Sequence, residues 1–410
     1  MTQALKPLAN AAHIVDAWFN DELTKPDAGA VSAAATACVE QLFPKPFLQA
    51  AQQEIQAWPN YAMTELVPLP LVASQANVDK VLFKDEGTRF GLGSFKALGG
   101  AYAVISWLAG ELSDRLNTTV TMEEVRTGRY ASEAASITVV SATDGNHGRS
   151  VAWGAQQAGC ACQIYIHREV SDQRAQAVSD FGARVVRVDG DYDESVRRCA
   201  ADAKVNEWQV ISDTSYVGYT DVPRLVMAGY TTMVAEILDT VDTPPTHVLV
   251  QAGVGGLAAA ICAAFVSELG AQAPRFIVVE SEYADCVIRS LRQGSPQTVN
   301  VIHETIMAGL SCGEISLLAY EVLKECVSAV VTIPDTEVPN AMRLLAAGHG
   351  GSRSIEAGEC AVPGLIALLA MNEPGFRQRL SLDSTSRVLL FGCEGATDPV
   401  IYQRIISGQL

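Results

Sequence analysis

Short apolar runs recur along this chain, separated by longer, alanine-rich stretches of mixed polarity. Runs with the β-branched and aromatic character of buried strands occupy residues 81–83, 137–141, 163–167, 184–188, 210–212, 247–251, 276–279, 329–333 and 388–391. Helical segments separate most of them, which predicts a largely parallel α/β architecture. Residues 1–60 read as helical, with alanine-rich runs over 33–42 and 47–58, and Pro68-Leu69-Pro70-Leu71 reads as an extended entry into the strand at Val81. A helix is predicted over 98–109, and the polar stretch 113–136 is predicted to be a surface excursion. No internal repeat or low-complexity linker interrupts the pattern.

Composition narrows the class. The 410 residues are 49% hydrophobic and 18% charged, enough to bury one large core or two moderate ones. A formal charge of −17 argues against a nucleic-acid or anionic-membrane partner, because such binding needs clustered Lys and Arg. Any phosphate is therefore expected to be held by backbone amides. The N-terminus lacks a basic segment followed by an apolar run, and no stretch of ~18 residues is free of polar breaks, so a cytoplasmic location is expected. Ten cysteines without a C-x-x-C and six scattered histidines offer no zinc-ligand spacing, so no metal is expected. In a reducing compartment most of the thiols are expected to be small buried residues.

Candidate chemistry concentrates where strands end. V-L-F-K-D-E-G-T-R-F-G-L-G-S-F-K-A-L-G-G, residues 81–100, runs from a strand through a charged turn into a helix start. Ser94 is predicted to be the N-cap, which places Lys96 in the first helical turn, where the positive helix end disfavours its ammonium form. So placed, Lys96 is a candidate nucleophilic amine, and a surface lysine is the alternative this stretch leaves open. In Ser141-Ala142-Thr143-Asp144-Gly145-Asn146-His147-Gly148, the side chains of Thr143 and Asn146 and the amides around Gly145 suit a carboxylate at a helix N-terminus, or a well-capped turn. In Gln251-Ala252-Gly253-Val254-Gly255-Gly256-Leu257, glycines let several backbone N–H groups face a phosphate. The full G-x-G-x-x-G and the P-loop lysine are missing, so a phosphate monoester suits this loop better than a pyrophosphate. Phe391-Gly392-Cys393-Glu394-Gly395 again follows a strand and also reads as an ordinary turn.

Taken in order, S-F-K, S-A-T-D-G-N-H-G and G-V-G-G-L resemble the fold-type-II pyridoxal-phosphate enzymes, the tryptophan synthase β-like group that includes serine and threonine dehydratases. Within it, the strings K-D-E-G-T-R-F-G-L-G-S-F-K, T-D-G-N-H-G-R-S-V-A-W, D-T-S-Y-V-G-Y-T-D-V-P, E-S-E-Y-A-D-C and M-A-G-L-S-C-G-E look like the diaminopropionate ammonia-lyase family. The resemblance runs from about Val67 to the C-terminus. It implies two open, mostly parallel twisted sheets flanked by helices, with the active site between a large domain (1–100 and 222–410) and a small one (101–221). It implies pyridoxal 5'-phosphate as cofactor, a small amino-acid substrate and a homodimer. By the same resemblance Lys96 is the Schiff-base lysine, and Asn146, Gly253, Val254, Gly255, Gly256, Leu257 and Cys393 hold the cofactor. Ser94, Thr143, Asp144, Gly145 and His147 would meet the substrate.

Ordinary dehydratases carry S-G-N where this chain has Thr143-Asp144-Gly145-Asn146, and the extra carboxylate is the point of difference. The hydrogen on a bound amino acid's Cα faces one side of the cofactor or the other according to chirality, so two bases serve two isomers. The resemblance assigns Asp144 to the D isomer of 2,3-diaminopropionate and Asp213 to the L isomer, in an elimination yielding pyruvate and two ammonia. Cys393 stands where the family usually has Ser or Thr, and Glu359-Cys360-Ala361 where relatives show Glu-Ser-Gly. Cys286 and Cys312 fall in strings characteristic of the lyases and are expected to lie within bridging range, with two independent buried thiols as the alternative. A serine or threonine dehydratase, an NAD(P)-binding oxidoreductase and a non-catalytic cofactor-binding protein are the rival readings.

Overall fold

Apolar runs become strands, and the most apolar of them lie innermost. The computed structural model describes residues 12–25, 29–143, 145–351 and 353–410. Its strands are β1 (Asp16–Phe19), β2 (Leu66–Pro68), β3 (Lys80–Asp85), β4 (Thr138–Ala142), β5 (Ala161–His167), β6 (Arg184–Val188), β7 (Gln209–Val210), β8 (His247–Gln251), β9 (Arg275–Ser281), β10 (Val327–Ile333) and β11 (Arg387–Gly392). Four helices bear on the chemistry: α1 (Lys96–Leu116), α2 (Asn146–Ala158), α3 (Asp221–Tyr230) and α4 (Gly256–Leu269). The chain folds as two compact units, Met1–Pro46, Met63–Thr88 and Met233–Leu410 in one, Phe47–Ala62 and Arg89–Thr232 in the other. These boundaries differ from the expected 1–100, 101–221 and 222–410, and they put Lys96 in the smaller unit.

The larger unit holds a seven-stranded sheet in the order β1-β10-β9-β8-β11-β3-β2. The five inner strands are parallel, and the two edges are antiparallel. Every residue of β8, β9 and β10 is buried, as expected for parallel strands covered on both faces. α4 is buried from Gly256 to Val266 and Pro363–Ala370 from Pro363 to Leu369, so both helices are apolar all round and belong to the core.

The smaller unit is built on a parallel sheet in the order β6-β5-β4-β7. Its central device is the packing of α1 against α2 and α3 at backbone distance. A Cβ on Gly154 of α2 would stand 2.6 Å from Ala101 Cα of α1, and one on Gly229 of α3 would stand 2.2 Å from Leu98 O. These helices touch through their main chains, which only glycine at the crossing permits.

The pattern expected of two mostly parallel sheets flanked by helices is the one observed, with four local differences. β1 lies in the region read as helical: its half-buried Asp-Ala-Trp-Phe carries no strand pattern and is ordered by pairing with β10. Pro68 closes edge strand β2, but Pro70 opens the helix Pro70–Ala76 instead of continuing an extended segment, since proline is well suited to a first helical turn. The N-cap of α1 is Phe95, without a side-chain cap, and Ser94 is buried beside it. The stretch 113–136 is more structured than an excursion, with a capping box of Thr121 and Glu124 starting Met122–Arg126 and with Val120, Val125 and Ala134 buried. Among the described residues no helix is long and apolar enough to cross a membrane.

The glycines of the helix crossing allow a controlled test. Gly229→Ala should destabilise the protein by roughly 1–3 kcal/mol or more, because the obstructing atom is a carbonyl oxygen that cannot swing aside. Gly110→Ala, on the exposed side of α1 with nothing within 4 Å, should instead stabilise by about 0.5–1 kcal/mol. Thermal unfolding midpoints of the two variants should therefore move in opposite directions.

Candidate active site

Lys96 is the first residue of α1, and its ammonium forms a short ion pair with Asp213. Asp213 follows β7, beyond the carboxyl end of the small sheet, where open parallel sheets bind ligands. Its side chain is 18% exposed and that of Lys96 23%, so the pair is largely shielded while remaining reachable. Burial alone would raise the Asp213 pKa, but the Lys96 ammonium, by its charge and by a hydrogen bond, pulls it well below the carboxylate range. The helix-end field at Lys96 is thus opposed by a facing carboxylate.

His147, the second residue of α2, bonds through Nε2 to Ile211 O at 2.9 Å. A carbonyl only accepts, so Nε2 carries the proton and the Nδ1 lone pair is left 3.9 Å from Asp213 Oδ2. Nδ1 is buried and has no hydrogen-bond partner. Burial lowers the His147 pKa, and Lys96 lowers it further; Asp213 offsets this only in part, so the ring is neutral. Thr143 Oγ1 accepts from Gly145 N at 3.1 Å and from Gly148 N at 3.3 Å, which folds the Thr143–Gly148 loop onto the start of α2. Gly145, at φ +159 and ψ −88, is the α2 N-cap without a side-chain cap bond, a conformation suited to glycine. Asp144 lies outside the described residues.

Tyr230, at the end of α3, was not anticipated from the sequence. Its ring packs 4.6 Å from that of Phe95, and Lys96 Nζ stands 5.8 Å from its centroid. A Cβ on Gly99 would stand 2.3 Å from Tyr230 Cε1, so the glycine makes the space the ring fills. Its hydroxyl is buried, which raises its pKa, and the Lys96 ammonium, by its charge and a side-chain hydrogen bond, offsets part of the rise. Nothing near Tyr230 in the chain flags it, because its neighbours Gly99 and Lys96 are remote in sequence.

The other expected residues belong to the larger unit. β8 ends at Gln251, and Gly253 to Leu257 form the turn into α4. Gly255, at φ +88, caps the helix in the left-handed region. A Cβ on Gly253 would meet Cys312 Sγ and Gly309 O, each at 2.9 Å. Bare backbone therefore lines this cradle at the positive end of a helix, the arrangement that holds an anion. Ser316 N donates to Val254 O at 2.9 Å and braces the turn. On the neighbouring strand β11, Cys393 follows Gly392, and its thiol donates to Cys360 O at 3.2 Å. Gln251 Nε2 donates to Cys360 O at 2.8 Å and to Phe391 O at 2.9 Å, tying the two strand ends together. Glu359 is buried, and it is Glu394 that accepts from Cys360 N at 3.1 Å. Cys286 and Cys312 are not joined by a disulfide, yet both lie against Gly253, with Cys286 Sγ 3.6 Å from its carbonyl oxygen.

Comparison with known proteins agrees with this geometry. Residues 57–377 match the family model described as pyridoxal-phosphate dependent enzyme. The diaminopropionate ammonia-lyase of Salmonella typhimurium is 35% identical over 359 residues, covering 85% of this chain and 89% of the relative. The crystal structure of holo diaminopropionate ammonia lyase from Escherichia coli superposes with a TM-score of 0.83 at 31% identity, covering 97% of this chain and 98% of that one. The same Escherichia coli enzyme in complex with D-serine gives a TM-score of 0.81 at 32% identity, with the same coverage.

The neutral state of His147 has a consequence for acid stability. Its folded pKa lies below the unfolded value of 6.5, so its contribution is complete above pH 6.5 and is lost as the pH falls from there toward the folded pKa. Replacing it by Gln, which can still donate to Ile211 O, should flatten the fall in stability between pH 6.5 and 5, by at most ~1.4 kcal/mol per pH unit. Urea unfolding midpoints of both proteins across that range check this, and parallel curves would show that folding does not lower the His147 pKa.

Proposed function

The chain belongs to the pyridoxal-phosphate-dependent enzymes, and from that membership we propose that it eliminates ammonia from 2,3-diaminopropionate, D and L, giving pyruvate and a second ammonia with uptake of one water. The observation that carries the reading is the Lys96–Asp213 pair: an amine at a helix start with a carboxylate base held against it, largely shielded from water. The likeness to diaminopropionate ammonia-lyases over most of the chain supports the substrate.

The cofactor is pyridoxal 5'-phosphate, and the residues suit it. The side-chain-free cradle of Gly253, Val254, Gly255, Gly256 and Leu257 matches a phosphate monoester, because added Cβ atoms would obstruct it and the helix end behind it favours negative charge. Lys96 is the amine that attaches the cofactor, and Asn146 is assigned to its ring. When bound, pyridoxal phosphate supplies the sink for the electron pair left at the substrate Cα. Cys393 stands at the position assigned to the ring nitrogen. Its neutral thiol, already donating to Cys360 O, does not force a proton onto that nitrogen as a carboxylic acid would.

The chain's own residues then handle protons. Asp213 is a weak base while the Lys96 ammonium faces it, because that charge stabilises its ionised form. A substrate amine would take the place of Lys96 on the cofactor, and Asp213, held beside the amine so released, is the base proposed for the Cα proton of the L isomer. His147, fixed by Ile211 O, keeps its Nδ1 lone pair 3.9 Å from the carboxylate. Asp144 is the base proposed for the D isomer, and Ser94, Thr143, Gly145 and His147 complete the substrate-facing set. The β-nitrogen departs as ammonia, and either aspartate also attracts the β-ammonium as the substrate arrives.

Lys96→Ala should abolish both the visible absorption of the bound cofactor and pyruvate release while circular dichroism is unchanged. A coloured, active Lys96→Ala protein would exclude the assignment. Asp213→Asn should cost the L isomer about 10²–10⁴-fold in kcat and the D isomer far less, with Asp144→Asn the reverse, because each removes one positioned base. Coupled pyruvate assays with each pure isomer decide this, and equal losses in both variants would mean that the aspartates bind substrate without choosing its face.

A further inference from the structure

A cavity of about 110 Å³ opens in the smaller unit, and none of the roles above uses it. Three of its walls are aromatic: Trp58, Phe90 and Trp153, with centroids 5.6 Å apart for Trp58–Phe90, 5.4 Å for Trp58–Trp153 and 5.0 Å for Phe90–Trp153. Ile105 of α1 adds an aliphatic surface, and Arg126 and Gln157 add polar groups. Phe90 and Trp153 are half-buried, so two large rings are kept partly open to solvent beside the cavity. Phe90 also adopts φ +51, a left-handed conformation costing a bulky residue roughly 1–2 kcal/mol, and its ring contacts hold it there.

The polar end is pre-arranged. Glu54 Oε1 accepts from Trp58 Nε1 at 2.9 Å and from Arg126 Nε at 2.9 Å, so one carboxylate oxygen orients both a ring wall and the guanidinium. Arg126 is bound through Nε alone among the described residues, which leaves its Nη donors for the space that it lines. Its side chain is only 9% exposed, so those donors are shielded from competing water.

We propose that this cavity is a binding site for a small planar monocarboxylate, a single ring or ring-sized apolar body carrying one carboxylate. The flat body lies among Trp58, Phe90 and Trp153, and the carboxylate meets the Nη edge of Arg126, with the Gln157 amide at the rim. At about 110 Å³ the cavity is smaller than the roughly 150 Å³ that takes a whole benzene ring, so part of the ring is enclosed and the rest lies toward solvent. Charge selects the class: an aromatic box alone would suit a cation, but a cation here would face Arg126, whereas a planar carboxylate matches its fork. Ala101, Ile105, Trp153 and Gln157 come from the helices that begin at Lys96 and Asn146 and Phe90 from the segment that leads to Lys96, while Trp58 follows the helix Lys45–Gln56 and Arg126 ends Met122–Arg126, so an occupant bears on the framework that positions the catalytic lysine.

Isothermal titration of the holoenzyme with sodium benzoate, and separately with neutral benzamide, tests the proposal. Benzoate should bind saturably at one site per chain and benzamide about tenfold or more weakly, the loss expected when a charge-assisted bond is removed. Arg126→Gln should erase that preference, and Gln157→Trp, which fills the mouth, should abolish binding of both, with elimination activity reporting that each variant is folded. Absence of saturable benzoate binding to the wild-type protein overturns the proposal. So does benzoate binding that survives both substitutions, which would place the ligand at the substrate site.

Discussion

The arrangement of the smaller unit depends on the approach of helix backbones to within the distance that glycine alone allows. Lys96 begins α1, His147 lies in the first turn of α2, and Tyr230 ends α3, so three helix ends supply the groups around Asp213. Their mutual position is set lower down, where Gly154 meets Ala101 and Gly229 meets Leu98. A side chain at either crossing would push the helices apart and with them the lysine, the imidazole and the phenol. Close packing of main chains is therefore what gives this cluster its precision, since interiors at crystal-like density transmit small displacements instead of absorbing them.

Within that frame the charges are few and mutually dependent. Burial penalises an isolated carboxylate, an imidazolium and a phenolate alike, and each pKa shift near the site begins from that penalty. The Lys96 ammonium decides the rest: it overcomes the penalty at Asp213, adds to it at His147 and relieves part of it at Tyr230. One amine thus sets the protonation of three neighbours, and a change in its charge changes all three together.

In the larger unit, a chain with a formal charge of −17 presents bare backbone at a helix start, in a glycine turn with no lysine in the Gly253–Leu257 loop, which is the kind of surface that suits an anion. Neighbouring parallel strands β8 and β11 bring that turn and Cys393 together, and Gln251 joins their ends through Cys360 O and Phe391 O. The Cys393 thiol donates to Cys360 O, so the same carbonyl takes bonds from both Gln251 and Cys393.

Much of this was legible in the chain itself. Among the described residues, nine of the eleven strands announce themselves as apolar runs, and Lys96, the 141–148 loop and the glycine turn at 253–257 are recognisable because strand ends, helix starts and glycine spacing are local patterns. The two missed strands, β1 and β2, are edges that owe their existence to a partner, as do the helix at Pro70 and the unassisted start of α1 at Phe95. Sequence determined the kind of chemistry, an amine nucleophile, nearby carboxylates and an anion cradle, because residue type and local backbone preference suffice for that. Only the tertiary structure decided that Asp213 pairs with Lys96, that His147 is neutral, that Tyr230 stands over the amine and that Arg126 shares a cavity with three rings. Those facts turn on distances between groups remote in the chain and on how deeply each is buried, and neither is encoded in any short stretch of sequence.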